Sequence, residues 1–110
     1  MTPEKLIEIA KNAMTRAYAP YSGYKVGAAL LCTDGTIFSG CNIENGAFSP
    51  SICAERTAFA KAVSEGYRDF TAIAVCGGKD GIISGVFPPC GVCRQVMREF
   101  CKDDFLIYMI

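Results

Sequence analysis

The sequence predicts a three-layer α/β/α sandwich with a mixed sheet, in which the first hairpin is antiparallel and the remaining strands are parallel. Two observations carry this prediction. An early pair of strand-like segments is joined by a tight turn, and the later strand-like segments alternate with helical ones. The chain has 110 residues, of which 51% are hydrophobic, which suffices for one core and not for two. We therefore expect residues 1–110 to form one domain.

Three segments have the apolar spacing of amphipathic helices. The first runs from about residue 3 to 17, with Thr2 as its N-cap and a proline in its first turn. The second is begun by the serines and proline of the loop Phe48-Ser-Pro-Ser51 and ends near Glu65. The third runs from about residue 91 to 102. These helices are expected to cover the sheet.

Four segments are predicted to be strands. Residues 25–31 and 36–42 flank Thr33-Asp-Gly35, a sequence typical of a hairpin turn. Residues 70–76 and 105–110 are the later strands. The glycine-rich stretch that starts at Gly77 lacks the Gly-Lys-Ser/Thr ending of a phosphate loop, so we predict a flexible connection there.

The composition excludes several classes of function. Lys and Arg number 11, as do Asp and Glu, so the chain lacks the basic surface of a nucleic-acid-binding protein. No apolar run is long enough to span a membrane. Seven cysteines without a secretory signal indicate the reducing cytoplasm. The balanced charge also favours a small, uncharged ligand. Histidine is absent, so any metal must be held by thiolates or carboxylates.

Two short segments carry candidate metal chemistry. Cys53 precedes Glu55 by two residues, and Cys90 and Cys93 form a C-x-x-C pair. Both segments are predicted to begin helices, where the helix dipole favours thiolates. Three thiolates beside a carboxylate that does not bind the metal suit a catalytic zinc site with one open position.

Each of these residues also has a simpler interpretation. A C-x-x-C pair alone can be redox-active or half of a structural zinc site, and a lone cysteine is usually part of a core. A carboxylate such as Glu55 in the first turn of a helix is commonly solvated. A closed structural site would take its fourth ligand from the remaining cysteines Cys41, Cys76 or Cys101, which we otherwise predict, with Cys32, to be buried filler.

Two arginines could compensate the negative charge of a tris-thiolate zinc site. Arg56 is adjacent to the first segment and can hydrogen-bond a ligand sulfur, although a surface salt bridge is an equally good interpretation. Arg94 has a weaker claim of the same kind.

Polar and aromatic residues near the first hairpin are candidates for ligand binding. Asn42 and Glu44 alternate at the exit of a strand and can face the same side, where an amide and a carboxylate would suit sugar hydroxyls. Turn formation is the simpler role for such residues. Tyr24 and Phe48 can stack on a planar ligand, although aromatic residues more often lie in a core.

Taken together, these residues resemble the small, homotetrameric class of cytidine deaminases. The resemblance covers nearly the whole chain and is carried by four motifs: Tyr21-Ser22 with Val26-Gly-Ala-Ala29, Gly40-Cys-Asn-Ile-Glu-Asn45, Cys53-Ala-Glu-Arg-Thr57 and Pro89-Cys-Gly-Val-Cys-Arg-Gln-Val96. In the zinc deaminase signature a histidine often precedes the glutamate, and here Cys53 takes its place. The resemblance implies a cytidine deaminase-like fold.

The resemblance also implies a mechanism. Cys53, Cys90 and Cys93 would bind one Zn²⁺ per subunit together with a water. Glu55 would take the proton of that water, protonate N3 of the cytosine and later the departing ammonia. The implied reaction is hydrolytic deamination of cytidine and deoxycytidine in cytoplasmic pyrimidine salvage.

The remaining implied roles concern the substrate and the assembly. Backbone groups of Ala54 would read the base edge, Asn42 and Glu44 would hold the ribose, and Tyr24 would pack against the ligand. A homotetramer would share its pockets between subunits through the segment at Ala47 and Phe48. Relatives usually continue into a further strand and a C-terminal helical tail, so we expect this domain to lack both.

Overall fold

A computed structural model describes residues 2–47, 51–79, 83 and 91–109, with the side chains of residues 91–93 excepted. In this part of the chain three helices and four strands follow one another: α1 (Pro3–Met14), β1 (Tyr24–Cys32), β2 (Ile37–Cys41), α2 (Ala54–Ser64), β3 (Phe70–Lys79), α3 (Gly91–Phe100) and β4 (Leu106–Met109). The predicted capping of α1 is confirmed, because the Thr2 hydroxyl accepts a hydrogen bond from the Lys5 amide at 3.2 Å.

The four strands form one mixed sheet in the order β2-β1-β3-β4. β1 is antiparallel to both of its neighbours, β2 and β3, whereas β3 and β4 are parallel. The predicted mixed sheet with an antiparallel first hairpin is therefore confirmed. The central place of β1, which gives a second antiparallel pairing, was not part of the prediction.

Helices cover both faces of the sheet, as the three-layer prediction requires. On one face α1 packs its apolar stripe, which includes Leu6 and Met14, against alternate residues of β1 and β3. On the other face the core contains Phe59 of α2 and Met97 of α3. Side chains of β1 therefore alternate between two apolar layers, which is why its sequence is almost continuously apolar and small.

The third strand is longer than predicted. It continues through Gly77 and Gly78 to Lys79, so the prediction of a flexible connection starting at Gly77 is wrong for these three residues. A Cβ at Gly77 would lie 2.9 Å from a methyl carbon of Val26, so glycine is what allows β3 to stay paired with β1 there. This extension brings the end of β3 beside the start of β1. The rest of the predicted connection, Asp80 and Gly81, lies outside the described residues.

A glycine in β2 sets how closely α2 approaches the sheet. A Cβ at Gly40 would lie 2.6 Å from both the carbonyl oxygen of Ala54 and the amide nitrogen of Ala58. Such distances are far below van der Waals contact, so only glycine permits the observed packing. The first two turns of α2 are thus seated directly on the backbone of β2.

Candidate functional site

The start of α2 presents the first candidate metal ligand. Cys53 is the N-cap residue, with φ −78° and ψ 158°, and its side chain makes no capping hydrogen bond. The Thr57 side chain holds this end in place, because its hydroxyl lies 3.0 Å from the carbonyl oxygen of Cys41 and 3.2 Å from that of Cys53. The Cys53 thiol therefore lies at the positive end of the helix dipole without capping the helix.

Glu55 lies in the first turn of the same helix and is only 5% exposed. Desolvation by burial is the main cause that raises the pKa of its carboxyl above the ordinary value, and the Cys53 thiolate adds to the effect. The nearby Arg56 guanidinium opposes it. The solvated first-turn carboxylate that the sequence also allowed is excluded by this burial. A buried carboxyl with a raised pKa suits proton transfer near neutral pH.

The Arg56 side chain turns back over the beginning of α2. Its Nη2 lies 3.7 Å from Cys53 Sγ and donates a hydrogen bond to the Ser51 carbonyl oxygen at 3.2 Å. The contact with sulfur is the one that the sequence suggested for this arginine. A guanidinium in this position stabilises the thiolate form of a cysteine.

A short β-bridge joins the metal segment to the polar segment after β2. Ile43 and Ile52 exchange backbone hydrogen bonds of 2.9 Å in both directions. Ile43 also forms a parallel bridge with Tyr18. The bridges therefore place Asn42 and Glu44 beside the residues that lead into Cys53, which sequence spacing alone could not establish.

The Asn42 side chain extends the edge of β1. Its Oδ1 accepts a hydrogen bond from the Val26 amide at 2.8 Å, and its Nδ2 donates to the Tyr24 carbonyl oxygen at 2.8 Å. Asn42 therefore has a structural role, but these bonds join it to a distant strand and are not the local turn formation that the sequence suggested. One hydrogen of its amide group and one lone pair are not used by these two bonds.

The Glu44 carboxylate holds the turn between α1 and β1. It accepts hydrogen bonds from the Tyr21 amide at 3.0 Å, from the Ser22 amide at 3.1 Å and from the Ser22 hydroxyl. The hydrogen bond from the Ser22 hydroxyl is the largest of the causes that lower the pKa of Glu44. Sequence reasoning missed this role, because nothing in the spacing connects residue 44 with a turn more than twenty residues earlier.

Replacing Glu44 with glutamine should make the protein less sensitive to acid. A carboxyl whose pKa is lowered on folding contributes stability that is complete above its unfolded pKa, near 4.5, and is lost as pH falls through the folded value. The difference in free energy of unfolding between wild type and Glu44→Gln should therefore be largest at neutral pH. It should shrink as the pH falls below the unfolded pKa near 4.5. Urea titrations at a series of pH values measure it. A difference that stays constant down to about pH 3 contradicts this assignment.

The other predicted binding residues are distributed around these two segments. The Tyr24 side chain is 43% exposed at the start of β1. Ala54 is buried as the first residue of α2, a position whose amide has no partner within the helix. Ala47 is exposed, and its amide donates to Asn45 Oδ1 at 3.0 Å. Phe48 lies outside the described residues.

The second candidate metal segment coincides with the start of α3. The helix begins at Gly91, so Cys93 is its third residue, and α2 and α3 contact each other. The Cys93 side chain and all of Cys90 lie outside the described residues, and the Arg94 side chain is exposed. Within the described set no three acidic, cysteine or histidine side chains come together. The residue types fit zinc, because Cys53 Sγ lies beside a guanidinium and the C-x-x-C pair would supply two further sulfurs.

The remaining cysteines do not complete a closed metal site among the described residues. Cys76 is fully buried on the α1 face of the sheet, with Sγ 3.6 Å from Met14 Sδ. Burial raises the pKa of Cys76 and of Cys101 to about 11, so both are protonated at neutral pH. The prediction of buried filler holds for Cys32 and Cys76, whereas Cys41 and Cys101 are only partly buried.

In the part of the chain that the structure describes, no helix is both long and apolar enough to pass through a lipid bilayer.

Comparison with known proteins places this chain in a family. The sequence profile of the cytidine and deoxycytidylate deaminase zinc-binding region matches residues 1–109. Cytidine deaminase from Sporosarcina psychrophila is 55% identical over 109 residues, which are 99% of this chain and 77% of that protein. Blasticidin-S deaminase from Bacillus cereus is 33% identical over 107 residues, covering 94% and 76% of the two chains.

A solved structure agrees with the sequence relatives. The crystal structure of cytidine deaminase from Burkholderia pseudomallei superimposes with a TM-score of 0.84 at 53% identity, covering 91% of this chain and 77% of that one. The family profile spans the segments that carry Cys53, Glu55 and the C-x-x-C pair. The chain therefore belongs to the cytidine and deoxycytidylate deaminase family.

Proposed function

We propose that the protein catalyses the zinc-dependent hydrolytic deamination of cytidine and deoxycytidine to uridine and deoxyuridine, with release of ammonia, in cytoplasmic pyrimidine salvage. The observation that carries the proposal is the burial of Glu55, 5% exposed, in the first turn of the helix that Cys53 begins. Deamination requires a carboxyl that can give and take protons, and a buried carboxyl beside a thiol and a guanidinium has the shifted pKa typical of such a group.

Cys53, Cys90 and Cys93 are proposed to hold one Zn²⁺ per subunit. The bound ion lowers the pKa of a water molecule so that it can act as a nucleophile at neutral pH. Zn²⁺ and three thiolates together have a net negative charge, which would weaken the lowering of the pKa of the water. The Arg56 contact with Cys53 Sγ, together with the N-terminus of α2, offsets part of that charge.

Glu55 is proposed to move the protons of the reaction. Its carboxylate takes a proton from the attacking water and transfers it to N3 of the cytosine, while the water oxygen bonds to C4. It then carries the remaining hydroxyl proton to the exocyclic nitrogen, and the bond between C4 and that nitrogen breaks as ammonia leaves. The raised pKa of Glu55 suits both directions of transfer.

Asn42 and Glu44 are proposed to hold the ribose hydroxyls. Their side chains are already fixed by hydrogen bonds to the start of β1 and to the turn before it. Each can form at least one further hydrogen bond, because an amide and a carboxylate can make more hydrogen bonds than these contacts use. A pre-ordered polar pair loses little conformational entropy on binding a sugar.

The base is proposed to lie between Tyr24 and the start of α2. The Ala54 amide, at the first position of that helix, can donate to an acceptor on the base edge. The single domain of residues 1–110 is proposed to assemble as a homotetramer in which Ala47 and Phe48 contribute to a neighbouring pocket. The exposure of Ala47 is compatible with that role.

Two other substrate classes and two other site types are less well supported. A blasticidin-like substrate lacks the ribose that the Asn42 and Glu44 pair would recognise. Redox chemistry at Cys90 and Cys93 leaves the buried Glu55 unused, and so does a closed structural zinc site. Editing of cytosine in polynucleotides needs a basic surface, which a chain of zero net charge does not supply.

The test is ammonia release from cytidine and deoxycytidine by zinc-loaded protein, with blasticidin S and single-stranded DNA as comparison substrates. We expect turnover of both nucleosides and little of the other two. The same preparation, sized in solution, should have about four times the chain mass. Folded, zinc-loaded protein that turns over neither nucleoside contradicts the proposed activity, and an active monomer contradicts the shared pocket.

A further inference from the structure

Lys79 and Tyr24 form a cross-strand pair at the end of the β1–β3 ladder. They are directly opposite each other in the register, because β3 continues through Gly77 and Gly78. In antiparallel sheets such opposed side chains interact directly. The pair lies two residues from Val26, whose amide is bonded to Asn42.

The Lys79 ammonium makes two contacts there. Its Nζ donates a hydrogen bond to the Ser22 carbonyl oxygen at 2.8 Å, and it lies 5.2 Å from the centre of the Tyr24 ring. A cation within about 6 Å of a ring centre is attracted to the face of the ring. The first contact fixes the ammonium, and the second uses the fixed charge to restrain the ring.

The opposite side of the same turn is held by Glu44. Its carboxylate accepts from the Ser22 hydroxyl, and the Ser22 Oγ accepts a hydrogen bond from the Tyr24 amide at 3.0 Å. The backbone of Tyr24 is thus tied to the carboxylate that would bind the sugar. Lys79 contacts the side chain of the same residue.

We propose that Lys79 is a positioning residue of the nucleoside pocket and acts by holding the Tyr24 ring in the orientation that packs against the ligand. This inference rests on the proposed function, because it assigns Tyr24 a place at the ligand. Tyr24 is 43% exposed, and a ring that is already oriented loses less rotamer freedom when the ligand binds. A residue that orders a contact made equally in ground and transition states affects KM and leaves kcat unchanged.

The first test compares Lys79→Met with Lys79→Arg. We expect the methionine variant to raise KM for cytidine by about three- to tenfold with kcat within twofold of wild type. Arginine keeps a cation and a donor, so it should restore KM to within about twofold. Lys61→Met is a matched control, since Lys61 also donates to a strand carbonyl, that of Ser39, and it should leave KM unchanged.

The second test is a double-mutant cycle with Tyr24→Leu. If Lys79 acts through the ring, adding Lys79→Met to Tyr24→Leu should raise KM by less than twofold further. Additive effects of the two substitutions on KM would overturn the proposal. If the wild type is active, an unchanged KM in Lys79→Met would also overturn it.

A third readout does not depend on turnover. A loosened tyrosine ring should weaken the near-ultraviolet circular dichroism of Lys79→Met, while Lys79→Arg and Lys61→Met should match wild type. If the wild type is inactive but Lys79→Met still changes the spectrum, the proposed function is contradicted and the Lys79–Tyr24 coupling is supported. A spectrum unaffected by Lys79→Met would overturn the coupling itself.

Discussion

Glu55→Gln is expected to lower kcat for cytidine by about 10²–10⁴-fold, the range that a positioned general acid–base contributes. Glutamine has nearly the same shape as glutamate and fits the same buried position, but it can neither accept the proton of the attacking water nor return one to N3. Zinc content should not change, because Glu55 is not proposed to bind the ion. The neutral side chain also removes a charge that is costly to bury, so the variant should be at least as stable as wild type.

Steady-state kinetics with zinc analysis of the same samples measures this effect. Glu65→Gln is the matched control, because it makes the same chemical change at the exposed C-terminal end of the same helix. It should leave kcat and zinc content at wild-type values. A Glu55→Gln variant that keeps its zinc and retains more than about a tenth of wild-type kcat would contradict the role of Glu55 as the proton carrier.

Cys53→Ala is expected to remove both zinc and activity. The substitution deletes one of three proposed ligands, so zinc affinity should fall by more than the roughly 10–100-fold that loss of an outer-shell partner causes. The fold should survive, because the Cys53 side chain makes no capping hydrogen bond and the Thr57 contacts use backbone oxygens. Equilibrium dialysis against a competing chelator measures the affinity, and ammonia release measures the activity.

Cys101→Ala is the control for this experiment. Cys101 is also only partly buried, but the pKa of its thiol is raised to about 11, so it is a poor ligand at neutral pH. We expect this variant to bind zinc as wild type does. If Cys101→Ala loses zinc and Cys53→Ala keeps it, the ion is held by a different set of sulfurs and the closed structural site regains support.

Local patterns in the sequence were sufficient to predict the sheet class and most of its elements. The turn at Thr33–Gly35 and the apolar runs on either side determine the first hairpin, since a one-residue slip would move every side chain to the wrong face. The position of β1 between β2 and β3 could not be predicted, because strand order depends on contacts between distant segments. The extension of β3 to Lys79 was missed because paired glycines normally indicate a connection.

The candidate site was predictable where chemistry and spacing coincide. Cys53, Glu55 and Arg56 stand out because a thiol, a carboxylate and a guanidinium fall within one helical turn. The partners of Glu44 and the pairing of Lys79 with Tyr24 were not predictable, since they join segments separated by 22 and 55 residues respectively. Such contacts follow from the register of the folded sheet.

The close packing of α2 on β2 also determines which sequence changes the protein can tolerate. No side chain fits at position 40 unless α2 moves outward, because its backbone already occupies that space. The same helix carries Cys53 and Glu55, and a displacement of 1 Å at reacting groups can reduce a rate by about 100-fold. A screen for inactive variants should therefore recover substitutions of Gly40 as readily as those of residues that touch the substrate. Tolerance to mutation in this protein is governed by how the helix rests on the sheet as well as by distance from the chemistry.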